Sequence, residues 1–341
     1  MISVRVPLRI DLCSGGDLPS ICSIHERHRP TGMNIAINKY ITIAISNSDD
    51  NNMYINGKQY NKEDLDIIGN NKLIAGILSY YPYTPINVDI QCDTLDRAGL
   101  GGSGAVSIAI LYAIRKYYGL PIGDIVYDAH KLENAVPQCL TGFQDQLAAL
   151  HGGFNLWNFH YISNERVIPE NMKLNDIQYN AIHDNNYDGI SILDVNILHN
   201  LEDRILLFNP RTIHNSIEIN TNQVNNYYMV KTSGKWINTF RDIEDCFTSI
   251  CNGDYERAIK HMNNVTNLRV EYVDGICNDN IKSLIDVSIT NRCGIAICGA
   301  GNGHVWVLCP DNNAKDIMIS EGSKYAEYID IKIDRGGIIE W

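Results

Sequence analysis

The sequence predicts a mixed α+β protein built from two packed lobes. The chain has 341 residues, more than the roughly 100–200 of a usual single domain. Extended, β-branched segments crowd its opening third, and apolar segments of helical period fill most of the second half. Hydrophobic residues make up 45% and charged residues 20%, enough for a sizeable core and too apolar for a disordered chain.

In chain order, strands are expected at Ile2 to Leu12, at Ile35 to Ser46 with its alternating apolar residues, and at Met53 to Ile55. A helix is expected from Leu73 to Tyr81, then a strand from Ile86 to Cys92 whose alternate residues share one face. Ala105 to Tyr118 reads as a helix apolar on more than one face, hence centrally buried. Pro121 suits a first helical turn and Pro137 ends the pattern, which gives a helix from Pro121 to Val136. Another begins near Gly142 and stops before Gly152-Gly153. Phe154 to His160 and Arg204 to Phe208 read as strands on either side of a polar, Asn- and Asp-rich stretch, Lys173 to Asn186, where the lobe boundary is placed. This divides the chain into 1–172 and 173–341. Helices at Trp236 to Cys251, Tyr255 to Asn263 and Asn280 to Asn291 follow. A strand, glycine turn and strand at Gly294 to Leu308, a helix, and a last strand near Tyr328 to Ile333 complete the chain.

The net charge of −12 argues against nucleic acid as the main partner, because binding a phosphate backbone relies on clustered Lys and Arg. The N-terminus lacks a secretory h-region and no run of about 18 apolar residues follows, so the protein is expected in the cytoplasm with no membrane partner. The ten cysteines show no C-x-x-C and no knuckle spacing, and are expected as reduced, mostly buried thiols. His25 and His28 do not have the H-E-x-x-H spacing of a zinc helix. Oligomeric state leaves no signal in the sequence.

The most informative segment is Asp96-Arg97-Ala98-Gly99-Leu100-Gly101-Gly102-Ser103-Gly104-Ala105, a glycine-dense loop running into an apolar helix. Without Cβ atoms the backbone can approach a polyphosphate, and free N–H groups at the positive helix end point at its oxygens. Ser103 adds a hydroxyl suited to a phosphate oxygen or a magnesium ion. A Walker A loop needs a lysine that is missing here. Gly99, Gly101 and Gly104 satisfy G-x-G-x-x-G, but five residues separate them from the strand. The nucleophile-elbow pattern fails at Ala105. A loop that merely makes a tight helix entry is the remaining alternative.

The loop resembles the second motif of the GHMP kinases, P-x-x-x-G-L-G-S-S-A, with Gly102 replacing the first serine. Three further segments match in order: Val6-Pro7-Leu8-Arg9-Ile10-Asp11 with Ser14-Gly15-Gly16-Asp17-Leu18-Pro19; Thr141-Gly142-Phe143-Gln144-Asp145-Gln146 with His151-Gly152-Gly153-Phe154; and Cys298-Gly299-Ala300-Gly301-Asn302-Gly303. They are similar to the opening, G-x-Q-D-Q and third glycine motifs of the heptose-phosphate kinase and fucokinase branch. The resemblance implies an N-terminal lobe of ribosomal-S5-like β-α architecture and a ferredoxin-like C-terminal lobe. It implies ATP and Mg²⁺ as cofactors, and a sugar or sugar phosphate as substrate, phosphorylated at a hydroxyl, the anomeric one by closest resemblance. Another small alcohol, or a catalytically silent binder of sugar or nucleotide, are the alternatives.

Residue by residue, the resemblance implies that Asp145 orients or deprotonates the acceptor hydroxyl, and that Arg9 stabilises charge on the transferring phosphoryl group. Gly99, Leu100, Gly101, Gly102, Ser103, Gly104, Ala105, Gly299 and Gly301 are implied to hold the nucleotide. Ser103 and Glu133 are implied to bind the metal. Asp17, Gly16 and Gly153 are implied to meet the sugar. From the residues alone, the bland alternatives are Asp145 as an N-terminal dipole partner, Arg9 and Glu133 as surface charges, and Asp17 as a turn former. Asn302 puts a side chain where the family has glycine.

Overall fold

The structure, a computed structural model, describes residues 1–25, 30–61, 72–94, 98–135, 141–160, 177–184, 186–212 and 216–341. His28, Leu95 to Arg97, Val136, Cys139 and part of the polar stretch 173–186 lie outside the described residues.

Strand β1 (Ile2–Cys13) runs antiparallel to β2 (Thr31–Asn47), with a register shift between Pro7 and Leu8. Ten of the twelve β1 residues are buried, which is why the segment reads as nearly continuous apolar sequence. At 17 residues β2 is long enough to serve two neighbours on its other edge. Ile41 to Asn47 pair with β5 (Ile86–Cys92), and Thr31 to Ile35 pair with β6 (Phe154–Phe159). Beyond β5 lies the hairpin β3 (Met53–Ile55) and β4 (Lys58–Tyr60), closed by Asn56 and Gly57 at φ 48° and 72°. Both positive values are what a two-residue hairpin turn needs. Beyond β6 lie β8 (Tyr187–Ile192) and β7 (Tyr179–His183), so residues past 172 complete the first sheet. At the chain's end β13 (Ile339–Glu340) returns to β1.

A second antiparallel sheet has the order β10 (Gly294–Ile297), β11 (Val305–Leu308), β9 (Ile205–Asn209), β12 (Glu327–Ile329). Helices α3 (Gly102–Tyr117) and α5 (Gln144–His151) pack on β1 and β2, while α2 (Lys72–Ser79) and α4 (Ile125–Ala135) pack on α3. A short helix α1 (Pro19–His25) joins β1 to β2. The later helices are α6 (Val195–Glu202), α7 (Ser216–Tyr228), α8 (Val230–Cys251), α9 (Tyr255–Tyr272), α10 (Asp279–Thr290) and α11 (Asn312–Gly322). Two cores result, one around β1, β2 and α3, the other around Phe208, Trp236, Leu284 and Val307. Leu18 and Ile21 belong to the second core. Trp306, fully buried, donates its indole N–H to the Asp11 carbonyl at 2.7 Å. That bond ties β11 to β1, so the two sheets are fixed to each other.

The mixed α+β class holds. Local boundaries differ for identifiable reasons. Helix α3 begins at Gly102 rather than Ala105, because Gly101 at φ 75° forms its N-cap and lets the glycine run itself turn helical. Helix α4 begins at Ile125 rather than Pro121, since Gly123 sits at φ 60° and Asp124 accepts the N–H of Tyr127, an N-cap bond. Of the nine described cysteines none forms a disulfide and seven are buried. No helix among the described residues is long and apolar enough to cross a membrane.

Candidate active site

The glycine loop lies between β5 and α3, and its glycines have a steric reason. A Cβ on Gly104 would sit 2.5 Å from the Asp145 Cβ, and one on Gly101 within 3.2 Å of both the Arg9 and the Asp145 side chains. The first turns of α3 and α5 therefore meet backbone to side chain, which brings Asp145 against the turn between Gly99 and Gly104. Gly99 and Gly101, at φ 74° and 75°, are left-handed, a conformation in which glycine carries no Cβ penalty. The first intrahelical bond runs from the Ala105 N–H to the Gly101 carbonyl at 3.0 Å, so the N–H groups of Gly102, Ser103 and Gly104 precede it and are available to an anion.

Arg9 is 3% exposed and connects three elements. Its Nε and Nη2 donate to Asp145 Oδ1 at 2.9 and 2.6 Å, its Nη1 donates to the Gly99 carbonyl at 2.6 Å, and Asp11 Oδ1 lies 3.1 Å from Nη1. Burial works against the Arg9 charge, but the carboxylates of Asp11 and Asp145 outweigh it and hold the guanidinium pKa above its ordinary value. Asp11, 1% exposed, also accepts the Gly299 N–H at 2.7 Å and the Gln144 side-chain amide at 3.4 Å. It thereby joins the opening strand to the third glycine motif and to α5. The sequence quoted Asp11 inside its motif without giving it a task. An acid two residues after a buried arginine on one face of a strand is the signal that was present.

Asp17 is 5% exposed, with Gln144 N–H 3.4 Å from Oδ2 and the Cys13 thiol 3.5 Å from Oδ1. Burial, then the Asp145 charge, pushes its carboxyl up to about 6. Gly142 makes room for it, since a Cβ there would stand 1.9 Å from Asp17 Oδ2. Glu133 on α4 is 1% exposed and accepts the Gln146 amide at 2.6 Å through Oε2. Its Oε1 has no hydrogen-bond partner among the described residues. Burial raises this carboxyl to about 8, against the opposing pull of the Ser103 side chain. Glu133 therefore keeps its proton near neutral pH, and a cation taking its unpartnered Oε1, with phosphate and water completing the shell as magnesium prefers, would displace that proton. Among the described residues no group of three or more His, Cys, Asp or Glu forms a protein-only cage.

The third glycine motif folds directly onto the loop. His304 N–H and Nδ1 both reach the Ala98 carbonyl, at 3.0 and 2.7 Å, and a Cβ on Gly303 would lie 2.8 Å from that same oxygen. Asn302 adopts φ 53°, a region Asn tolerates better than most residues. Its Oδ1 accepts the Asn278 amide at 2.8 Å, so its side chain is engaged by the N-cap residue of α10. Arg269 on α9, 3% exposed, donates to the carbonyls of Ile297, Gly299 and Ala300 at 2.9, 2.6 and 3.1 Å and fixes the turn from below.

These parts surround one cleft of about 780 Å³. Arg9, Asp17, Gly99, Leu100, Gly101, Gly102, Ser103, Asp145 and Gly299 line it, together with Gln223 and Arg269, which the sequence did not single out. Gly104 and Ala105 lie in the first turn of α3, and Glu133, on α4, stands outside the cleft lining. Gly16 packs against Phe240 and Pro30, Gly301 against Ile276, and Gly153 passes its N–H to the Asp334 carbonyl and its carbonyl to Ala36 N–H. Those three stand outside the cleft lining.

A glycine turn at a helix start, a second glycine turn closed over it and a buried Arg–Asp pair between them meet at this cleft. Residues 71–153 match the GHMP kinases N terminal domain. The mixed α+β fold matches that of GHMP kinase structures over the whole chain. A D-glycero-alpha-D-manno-heptose 7-phosphate kinase of Campylobacter jejuni is 25% identical over 189 residues, covering 51% of this chain and 54% of that protein. The chain thus spans about half the length of the curated relative it matches. Among solved structures, a D-glycero-D-manno-heptose 1-phosphate kinase from Bacteriodes thetaiotaomicron superposes with a TM-score of 0.69 at 18% identity, over 100% of this chain and 99% of the other. A phosphomevalonate kinase of Streptococcus pneumoniae gives 0.67 at 14% identity over 100% and 99%. At such identities the likeness is one of fold.

Proposed function

We propose that the protein transfers the γ-phosphoryl group of ATP to a sugar hydroxyl, the anomeric oxygen of a heptose phosphate or of a 6-deoxyhexose, in the cytoplasm and in supply of nucleotide-sugar synthesis. The observation that carries this reading is the seating of Asp145 and Arg9 on the glycine turn, inside a cleft that also holds Asp17. The heptose 7-phosphate kinase of Campylobacter jejuni, at 25% identity, supports a sugar over a simpler alcohol.

In this reading the backbone N–H groups from Gly102 to Gly104 and the α3 dipole hold the triphosphate. Ile41, Ile74, Ile90 and Val106 also line the cleft and offer an apolar surface for the base. The acceptor oxygen attacks the γ-phosphorus, the bond to the β-phosphate oxygen breaks, ADP leaves, and the hydroxyl proton passes to Asp145. Arg9 fixes Asp145 through Oδ1 and places positive charge where negative charge gathers on the phosphoryl oxygens. Asp17 accepts hydrogen bonds from acceptor hydroxyls. Ser103 and Glu133 would hold magnesium, which supplies charge neutralisation on the phosphates when bound. The test is ADP release with ATP, magnesium and a panel of free and phosphorylated heptoses, hexoses and 6-deoxysugars. Release that depends on one of these acceptors is expected. Nucleotide binding with no turnover across the panel points instead to a silent sugar or nucleotide binder.

A further inference from the structure

Of the ten buried side-chain polar atoms without a hydrogen-bond partner among the described residues, four belong to residues that line the cleft. They are Thr141 Oγ1 and Gln144 Oε1 from the segment leading into α5, Gln223 Nε2 from α7, and Arg269 Nε from α9. Burying a polar group without a partner is costly, and native proteins hold few such groups. Four around one cavity describe what the cavity lacks.

Gln223 is the most informative of the four. It is 1% exposed, and its Nε2 makes no hydrogen bond among the described residues. A Cβ on Gly15 would lie 2.7 Å from its Nε2, so the amide rests on the loop that ends in Asp17. It belongs to the second core's helices, whereas Asp17 and Gln144 come from the first lobe. Asp145 lies beyond Gln144 in the same first turn of α5.

We infer that Gln223 is a specificity-determining contact with the acceptor, its Nε2 donating to an acceptor hydroxyl. The inference rests on the kinase reading. A hydroxyl donates once and accepts twice, so a row of hydroxyls satisfies acceptors such as Gln144 Oε1 and Asp17 while also receiving the donors Gln223 Nε2 and Arg269 Nε. A monoalcohol, once its hydroxyl faces Asp145, has none left for the others. Discrimination follows, because a substrate lacking these hydroxyls leaves the buried groups unpaired.

Gln223→Leu keeps the side-chain volume and removes the amide. With the sugar or sugar phosphate that the wild type turns over, its acceptor KM is expected to rise about threefold to tenfold, the loss of one ordinary hydrogen bond, while the ATP KM stays unchanged. The thermal midpoint of the ligand-free variant should change little, since leucine keeps the volume and removes the unpaired Nε2. Gln223→Asn, with a shorter reach, should raise the acceptor KM as well. An unchanged acceptor KM in an active enzyme overturns the inference and leaves the kinase reading standing. A lowered midpoint with a raised ATP KM overturns it in favour of a packing role. Absence of ADP release by the wild type with any acceptor defeats the kinase reading and this inference with it.

Discussion

Arg9→Met replaces the guanidinium by an apolar chain of similar length and strands two carboxylates. Asp11 is fully buried in its side chain and Asp145 three-quarters so, and Arg9 is their common partner as well as the donor to the Gly99 carbonyl. Removing one member of a buried ion pair costs about 3–5 kcal/mol, because the remaining charge is left uncompensated. Unfolding entropy of about 2.1 cal/mol/K per residue gives about 0.7 kcal/mol/K for this chain, so the midpoint should fall by about 4–7 °C. Circular dichroism on heating reads it. Adding Asp11→Asn to Arg9→Met removes one stranded charge and should return part of the loss, with an interaction free energy of about 0.5–3 kcal/mol as expected for contacting residues. A midpoint shift of about 1 °C or less for Arg9→Met, or additive losses in the double variant, refutes the claim that these three side chains form one electrostatic unit.

Two further outcomes follow from the same geometry. Gly142→Ala places a Cβ 1.9 Å from Asp17 Oδ2, so Asp17 must leave its position; the acceptor KM should rise with ATP affinity unchanged, and an equal acceptor KM would show that Asp17 does not meet the acceptor. The Asp17 carboxyl has its pKa raised from 3.8 to about 6, so the folded protein holds that proton longer than the unfolded chain. Its contribution is then fully present below about pH 4 and is lost as the pH rises through about 6, a difference of about 3 kcal/mol. Asp17→Asn should accordingly be more stable than the wild type at pH 8 and level with it at pH 4; equal midpoints at both would contradict the assignment.

How much of this was legible in the sequence follows from distance along the chain. The glycine loop and the helix behind it are local features, and the steric reading of Gly99 to Gly104 needed only the absence of Cβ atoms. Asp145 and Arg9 were found through motif resemblance; from its own surroundings Asp145 is one acid in a first helical turn. Nothing local reveals that Arg9 of β1 lies against it, 136 positions away. Asp11 escaped because its partners, Gly299 and Trp306, stand 288 and 295 residues downstream. Gln223 escaped for a different reason. Helix α7, Ser-Ile-Glu-Ile-Asn-Thr-Asn-Gln-Val-Asn-Asn-Tyr-Tyr, is rich in Asn, Thr and β-branched residues that favour other conformations. Tertiary packing of Ile219 and Tyr227 into the second core sustains it instead. The β7–β8 hairpin was hidden in the polar stretch because β7 is largely exposed and shows no apolar alternation.

The central claim is that the turn from Gly99 to Gly104 holds the triphosphate while Asp145 serves the acceptor. Asp145→Asn separates the two, since asparagine keeps the shape and an oxygen for Arg9 but cannot take the proton. Measured side by side, acceptor-dependent ADP release should fall by a factor of about 10²–10⁴, the usual worth of a positioned base, while the dissociation constant for ATP with magnesium stays within about twofold, a difference below about 0.5 kcal/mol. Undiminished turnover in the variant, or loss of nucleotide binding in step with turnover, would contradict it.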